Sequence, residues 1–393
     1  MTEAALYRLQ GWERFQRGSL IVGVVGLALC ILGAFVSRDQ FFYSYLMAYV
    51  FWLGIALGSL GIVMLHNLTG GAWGIVIRRL LESAMRTLPL MLLLFLPLLF
   101  GLPSLYEWAR PEALAGDAVL QHKSAYLNVP FFLLRSALYF ALWIGAAYLL
   151  TRWSRDHDRT ADPRLIQRLR ILSGPGLVLY VLTITFASID WLMSLEPHWY
   201  STIYGVHFLG SHALSAFAFT ILLAGWLVRA EPFAGVVRPT HFNDLGNLLL
   251  AFVMLWAYFA FSQWLIIWSG NLPEEITWYA HRTRGGWEWI ALALMVFHFF
   301  LPFFLLLMRG VKRRVPALCA LAAAIVFMRL IDVFWYTLPA FHPETFHIHW
   351  LDIAAPVGLG GVWIAAFIWQ LRPVPLLPLN HPSTKEMLEG ARS

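Results

Sequence analysis

Residues 42–65 read FYSYLMAYVFWLGIALGSLGIVML, a run of 24 positions without one charged side chain. A helix needs about 20 apolar residues to cross the hydrocarbon core of a bilayer, so this run is long enough. Similar runs recur along the chain of 393 residues, of which 60% are hydrophobic and only 13% are charged. So little charge cannot cover a soluble protein of this size. Because the runs are unbroken rather than alternating, they predict membrane helices and not a membrane β-barrel.

Ten such runs predict an all-α integral membrane protein with ten transmembrane helices. The first run follows three arginines but lacks a small-residue cleavage site, so it predicts a retained helix and not a signal peptide. The predicted spans are residues 19–36, 42–65, 87–102, 129–150, 174–194, 203–228, 244–269, 287–308, 316–337 and 351–371.

The Lys and Arg residues are distributed unevenly between the two sides that these spans define. The side of the N-terminus carries 21 of the 28, including three in segment 66–86 and six in segment 151–173, and the opposite side carries five. This asymmetry predicts that both termini lie in the cytoplasm. The net charge of +6 forms no basic stripe with interleaved aromatic residues, so nucleic acid is not a predicted partner. The two cysteines form no cluster-binding pattern, so no iron–sulfur cluster is predicted in this chain.

Four charged residues lie well inside the predicted spans, where a charge costs several kcal/mol and suggests a functional site. Arg135 in the fourth span and Asp190 in the fifth span lie at similar depths, which would permit an ion pair. Arg329 and Asp332 lie on one face of the ninth span because they are three residues apart. The four charges sum to zero.

Other polar residues recur at several depths, which is what a proton relay needs. A structural interpretation stays open for all of them. The ion pairs would then connect helices, His66 would be a cation at a helix C-terminus, and the hydroxyl groups would be packing contacts. The spacing of His207 and His212 does not present one metal-binding face, so no metal site is predicted. The predicted proton path comprises His66, Arg135, Asp190, His207, His212, Tyr258, Ser262, His298, Arg329 and Asp332.

Four blocks of the sequence resemble one family. They are residues 66–74 (HNLTGGAWG), residues 186–195 (FASIDWLMSL), residues 262–275 (SQWLIIWSGNLPEE) and residues 329–335 (RLIDVFW). The chain resembles the NrfD/PsrC-type membrane proteins, and specifically the second large polytopic subunit, of the ActF type, in the alternative complex III. That complex is a bacterial quinol:electron-acceptor oxidoreductase.

The resemblance implies two four-helix bundles, formed by spans two to five and six to nine, with peripheral first and last helices. The corresponding domains are residues 1–41, 42–194, 203–337 and 351–393. It also implies a bacterial cytoplasmic membrane location and a complex with several partners. The implied partners are a sister NrfD-like polytopic subunit, a multihaem cytochrome c subunit, an iron–sulfur subunit, small membrane subunits and a terminal cytochrome oxidase.

In the family resembled, haem c and iron–sulfur clusters belong to the partner subunits, and this subunit provides a proton path. The chain is therefore expected to be a non-redox subunit of a respiratory quinol:electron-acceptor oxidoreductase that conducts protons and contacts lipid. Three alternatives stay open: a subunit that itself binds quinone, an independent secondary transporter, and a structural scaffold.

Overall fold

The computed structural model describes residues 11–228, 233, 237–378, 380, 381 and 384. The chain is an all-α, polytopic membrane protein that is 84% helical, and the described residues form no β-strand. Ten helices in this part of the chain are long and apolar enough to cross a membrane. We number them α1 Glu13–Val36, α2 Arg38–Thr69, α3 Ala72–Phe100, α4 Val129–Thr160, α5 Pro163–Leu195, α6 Tyr204–Leu227, α7 Pro239–Gly270, α8 Trp287–Leu307, α9 Val315–Ala340 and α10 Leu351–Leu371.

The segment 151–173 between the fourth and fifth predicted spans is mostly helical, because α4 and α5 extend through it. Only Ala161 and Asp162 separate the two helices, and Ala161 ends α4 in the left-handed conformation, with φ of 53°. The Asp162 carboxylate accepts a hydrogen bond from the backbone N–H of Arg164 at 2.9 Å and so caps α5. Hydropathy alone does not predict these helical turns of α4 and α5, because their arginines interrupt the apolar pattern. Arginine nevertheless favours helix formation.

The predicted loop at 66–86 is also mostly helical. α2 continues to Thr69, the chain turns at Gly70 and Gly71, and α3 begins at Ala72. Both glycines have positive φ, 70° and 98°, which a side chain rarely allows. A short break then divides α3 into Ala72–Met85 and Leu88–Phe100. The third membrane helix therefore begins 15 residues before the predicted start at 87.

Contacts between the helices divide α2–α9 into two four-helix bundles. α2, α3, α4 and α5 surround one interior, which we call the first bundle, and α6, α7, α8 and α9 form the second bundle. α2 joins the bundles because it also packs along α6, and 94% of its apolar window is buried. Small residues permit this approach: a Cβ on Gly54 would lie 2.8 Å from the ring of His212.

Both terminal helices lie outside the two bundles, as expected, but α10 is more deeply packed than α1. α10 lies between α1 and α2, and the indole N–H of Trp52 on α2 donates to the carbonyl of Pro356 at 2.9 Å. α1 packs on α10 through glycines of both helices, so that Gly26 meets the backbone of Gly358. α1 itself is only 22% buried over its apolar window. We call the side where α1 begins and α10 ends the terminal side, and the other side the opposite side.

Replacing Gly26 with Ile should separate α1 from α10, because the added side chain would overlap the backbone of Gly358. We expect a loss of about 1 to 3 kcal/mol in the free energy of unfolding, measured by detergent titration. Gly18→Ile is the matched control, since nothing lies within 4 Å of a Cβ at Gly18 on the same helix. Equal stability of the two variants would contradict the close contact.

Candidate functional site

Arg135 and Asp190 form the centre of a buried cluster in the opposite-side half of the first bundle, which we call the Asp190 cluster. Arg135 Nε and Nη2 donate to the two carboxylate oxygens of Asp190 at 2.9 and 2.8 Å, so the expected ion pair is present. The hydroxyl of Tyr139 donates to Asp190 Oδ2 at 2.8 Å. Arg135 Nη1 donates to the carbonyl of Tyr126 at 3.0 Å, and the Tyr126 ring lies 3.9 Å from the guanidinium carbon. Both oxygens of Asp190 are therefore occupied.

A second cluster, the Asp332 cluster, lies inside the second bundle. Arg329 and Asp332 form an ion pair on α9, as their spacing predicted. Arg329 Nε donates to Ser215 Oγ on α6 at 3.1 Å, and Trp256 Nε1 on α7 donates to Asp332 Oδ2 at 3.3 Å. Asp332 Oδ1 is buried and has no hydrogen-bond partner among the described residues. This carboxylate thus keeps one oxygen free to accept a proton.

Two histidines of the predicted path, His207 and His298, contact Trp256 of the Asp332 cluster, whereas the ring of His212 lies beside Gly54 of α2. The ring of His298 lies 4.4 Å from the ring of Trp256, and His207 contacts the hydroxyl of Tyr336 through Nε2 at 3.1 Å. Within the described chain, both ring nitrogens of His298 and of His212 are buried without a hydrogen-bond partner. His298 lies in the π-helical turn Leu294–Phe300 of α8, a local geometry that is frequent at functional sites.

The Asp190 cluster and the Asp332 cluster differ in how completely their polar atoms are paired. Every carboxylate oxygen of Asp190 has a partner, whereas Asp332 Oδ1 and both ring nitrogens of His298 have none in the described residues. An unpaired polar atom costs free energy in an apolar interior, so it persists where a function or a ligand uses it. The Asp332 cluster is therefore the better candidate for proton transfer.

A third set of buried charges, the Glu82 cluster, lies on the terminal side between α3 and α4. Glu82 Oε1 accepts from Arg78 Nε at 2.9 Å and from Ser154 Oγ at 2.7 Å. Arg79 pairs with both Glu82 and Asp158. Sequence reasoning assigned Arg78 and Arg79 to a solvated loop, although their spacing of four and three residues from Glu82 is typical of ion pairs on a helix.

His66 joins the Glu82 cluster and is not an interfacial cation. Its side chain is only 4% exposed. Arg78 Nη1 donates to His66 Nδ1 at 3.3 Å, and His66 Nε2 lies 3.0 Å from the carbonyl of Gly71. Because a guanidinium can only donate, Nδ1 is the acceptor, and Nε2 carries the proton that is donated to Gly71.

The structure does not bring Tyr258 and Ser262 to any of the three clusters. Tyr258 is 63% exposed on the outward face of α7, and Ser262 is half-buried. Trp256 and Gln263, seven residues apart, occupy the inward face of α7 instead. Neither Trp256 nor Gln263 is titratable, so the pattern of titratable residues in the sequence does not identify the inward face of α7.

Arg282 is a buried residue that the sequence reasoning placed in a surface loop. It lies at the end of the short helix Pro273–Arg282 on the opposite side, and its Nη2 donates to the carbonyl of Tyr336 at 2.9 Å. The carboxylate of Glu196 accepts hydrogen bonds from Arg282 Nη1 at 2.8 Å and from His281 Nδ1 at 2.7 Å. Burial alone would raise the pKa of Glu196, but the charge of Arg282 and these hydrogen bonds lower it below 4.5. This ion pair closes the opposite-side end of the second bundle.

No family model and no curated protein matches the chain. Within the described residues, no group of three or more His, Cys, Asp or Glu side chains could hold a metal ion. The function is therefore inferred from the three clusters themselves.

Replacing Asp190 with Asn should destabilise the protein strongly, because it leaves the buried charge of Arg135 uncompensated. Removal of one partner of a buried pair costs about 3 to 5 kcal/mol. The double variant Arg135→Gln with Asp190→Asn should recover most of that loss in a detergent-unfolding titration. A double variant no more stable than the single one would contradict a pairing role.

The lowered pKa of Glu196 predicts a defined pH dependence. The stabilisation from Glu196 should be complete above pH 4.5, the value of the unfolded chain, and should be lost as the pH falls through the lower folded value. Unfolding midpoints measured from neutral to acidic pH should show this loss. Glu196→Gln should be less stable at neutral pH and should have a flatter acid limb. An unchanged acid limb in the variant would exclude Glu196 as the source.

Proposed function

We propose that the chain is a membrane subunit of a respiratory quinol:electron-acceptor oxidoreductase of the alternative complex III type, and that it conducts protons through the Asp332 cluster. One observation carries the conduction proposal: a buried carboxylate with a free oxygen bonds Trp256, whose ring lies 4.4 Å from His298, an imidazole without a hydrogen-bond partner in the described chain. The identity of the complex rests on the sequence resemblance alone. Intramembrane ionisable residues that face a bundle interior are typical of proton pathways.

The residues around Asp332 have different roles in proton transfer: some orient the carboxylate, and others exchange protons. Arg329 and Trp256 fix one carboxylate oxygen, which orients the other. His212 and His298 can accept or donate at either ring nitrogen, and His207 with Tyr336 continues the polar residues towards the opposite side.

Aliphatic side chains form a layer in the second bundle on the terminal side of the Asp332 cluster. Five of them are fully buried, namely Leu249, Val253, Leu306, Leu318 and Ile325. Protons therefore need a rearrangement, or water entry, to pass this layer. The Glu82 cluster lies on the terminal side beyond it, and the half of α3 that carries Glu82 contacts α6 and α7. Such a barrier between two polar regions allows conduction to be coupled to a conformational change.

The Asp190 cluster is assigned a structural role in this proposal. Arg135, Tyr139 and Asp190 already satisfy one another, so a proton on Asp190 would break two strong hydrogen bonds. In this proposal the first bundle has a structural role, and the second bundle conducts protons.

Asp332→Asn, combined with Arg329→Gln so that no buried charge is left uncompensated, should lower the number of protons translocated per electron in the purified complex reconstituted in vesicles, while quinol oxidation continues. The amide cannot take up and release a proton at neutral pH. Asp352→Asn is the matched control, because Asp352 is a buried carboxylate on α10 that bonds Ser44 Oγ at 2.6 Å outside both bundle interiors. Equal ratios in the two variants would contradict conduction through Asp332.

A second candidate function is quinone binding, which an aromatic groove favours. The groove has a volume of about 360 Å³ and lies on the opposite side of the first bundle. Tyr126, Trp199 and Tyr200 line it, with His122 and Lys123 as polar groups. Ligand sites typically combine an apolar lining with a few polar groups in this way.

A photoreactive quinone should label residues 122–127 and 193–200 if the groove binds quinone. Tyr200→Ala should reduce that labelling, because it removes an aromatic wall. Tyr148→Ala is the control, since Tyr148 is exposed to a similar extent, 57% against 54%, but lies outside the groove. Labelling that is unchanged by Tyr200→Ala would exclude this site.

A further inference from the structure

A basic cavity opens on the terminal side, away from the Asp332 cluster. It has a volume of about 210 Å³ and lies between the ends of α2, α4 and α5, the α3 residue Arg78 and the C-terminal segment. Its polar wall combines two guanidinium groups, three imidazoles and one carboxylate. These residues are Arg78, Arg170, His66, His157, His381 and Asp158.

Arg78 is the residue that points to a ligand. It is only 5% exposed, yet it lines the cavity. Its Nε donates to Glu82 and its Nη1 to His66, while Nη2 has no hydrogen-bond partner in the described chain. A guanidinium has five N–H donors and binds an oxyanion through two of them side by side. Nη2 is thus available to an anion in the cavity.

The charge at Arg78 is only partly neutralised. Glu82 forms ion pairs with both Arg78 and Arg79, and Arg79 also forms an ion pair with Asp158. The carboxylate in the cavity wall is therefore already paired. Arg170 at the mouth adds a further positive charge, and the hydrogen bond that it makes within the described residues is long, 3.5 Å to the carbonyl of Leu68. The cavity consequently favours an anion.

The other wall of the cavity is apolar. Ile166, Leu169 and Pro378 line it beside the guanidinium groups. The cavity lies where membrane helices end on the terminal side, the depth at which lipid headgroups meet a protein surface. A wall that is apolar on one face and cationic on the other fits a phosphate ester that is joined to a lipid.

We propose that this cavity binds the phosphate group of an anionic membrane lipid, with Arg78 at its base and Arg170 at its mouth. Guanidinium groups bind phosphate oxygens by charge-assisted hydrogen bonds. The proposal rests on the residues of this cavity and does not depend on proton conduction through the Asp332 cluster. Inorganic phosphate shares the recognised chemistry, so the experiment distinguishes the two sources.

Delipidated full-length protein, in its native complex, should be placed in phosphatidylcholine nanodiscs that contain phosphatidylglycerol as the probe. Native mass spectrometry then counts the retained phosphatidylglycerol. Arg78→Gln should weaken retention about tenfold, as expected for loss of one charge-assisted contact. Arg170→Gln should weaken it about fivefold, and this exposed variant tests the site without disturbing the buried ion pairs. Arg168→Gln is the control, because Arg168 is exposed two residues away and does not line the cavity.

Retention that falls in Arg170→Gln but not in Arg168→Gln supports the site even if Arg78→Gln fails to fold. A second arm adds inorganic phosphate to nanodiscs of phosphatidylcholine alone. Thermal stabilisation there, lost in Arg170→Gln, would support a phosphate site that also admits the free ion. Equal phosphatidylglycerol retention in wild type, Arg170→Gln and Arg168→Gln would overturn the proposal.

Discussion

A guanidinium group inside a membrane must be neutralised within the reach of its own hydrogen bonds, and this constraint shapes the protein. Arg79, Arg135 and Arg329 each lie in a different pair of contacting helices and are at most 7% exposed. Arg135 fixes the register of α4 against α5, Arg79 that of α3 against α4, and Arg329 that of α9 against α6. Because lipid supplies no hydrophobic force between helices, such polar contacts and close packing position the bundles.

The carboxylates that neutralise Arg135 and Arg329 differ in their hydrogen bonding, and this difference distinguishes a structural role from a functional one. Each oxygen of Asp190 accepts a hydrogen bond from Arg135, and Oδ2 accepts a second one from Tyr139. Asp332 shares one oxygen between Arg329 and Trp256 and leaves the other without a partner in the described chain. A saturated pair is costly to disturb, whereas a partly satisfied one can change protonation within a small free-energy range. In our proposal, the second bundle therefore conducts and the first bundle supports it.

Much of the architecture could be predicted from sequence, because apolar length and charge asymmetry report directly on the bilayer. The length of the apolar runs predicted the number of helices. The similar depths of Arg135 and Asp190 in their spans predicted that the two residues could form an ion pair. The start of α3 was not predictable in this way, because Arg78, Arg79 and Glu82 look solvated until their partner Asp158 is brought in from α4. The orientation of Tyr258 was not predictable for a different reason: helical spacing identifies a stripe but not the direction in which it faces.

Redox-triggered infrared difference spectroscopy on the reconstituted complex tests the central claim most directly, because it detects protonation of single carboxyl groups. The account predicts a carboxylic C=O band that appears on turnover, shifts in deuterium oxide, disappears in Asp332→Asn and persists when Arg135→Gln and Asp190→Asn are combined. A band that survives in Asp332→Asn, or that is lost only in the Asp190 double variant, would contradict the assignment of proton transfer to the second bundle.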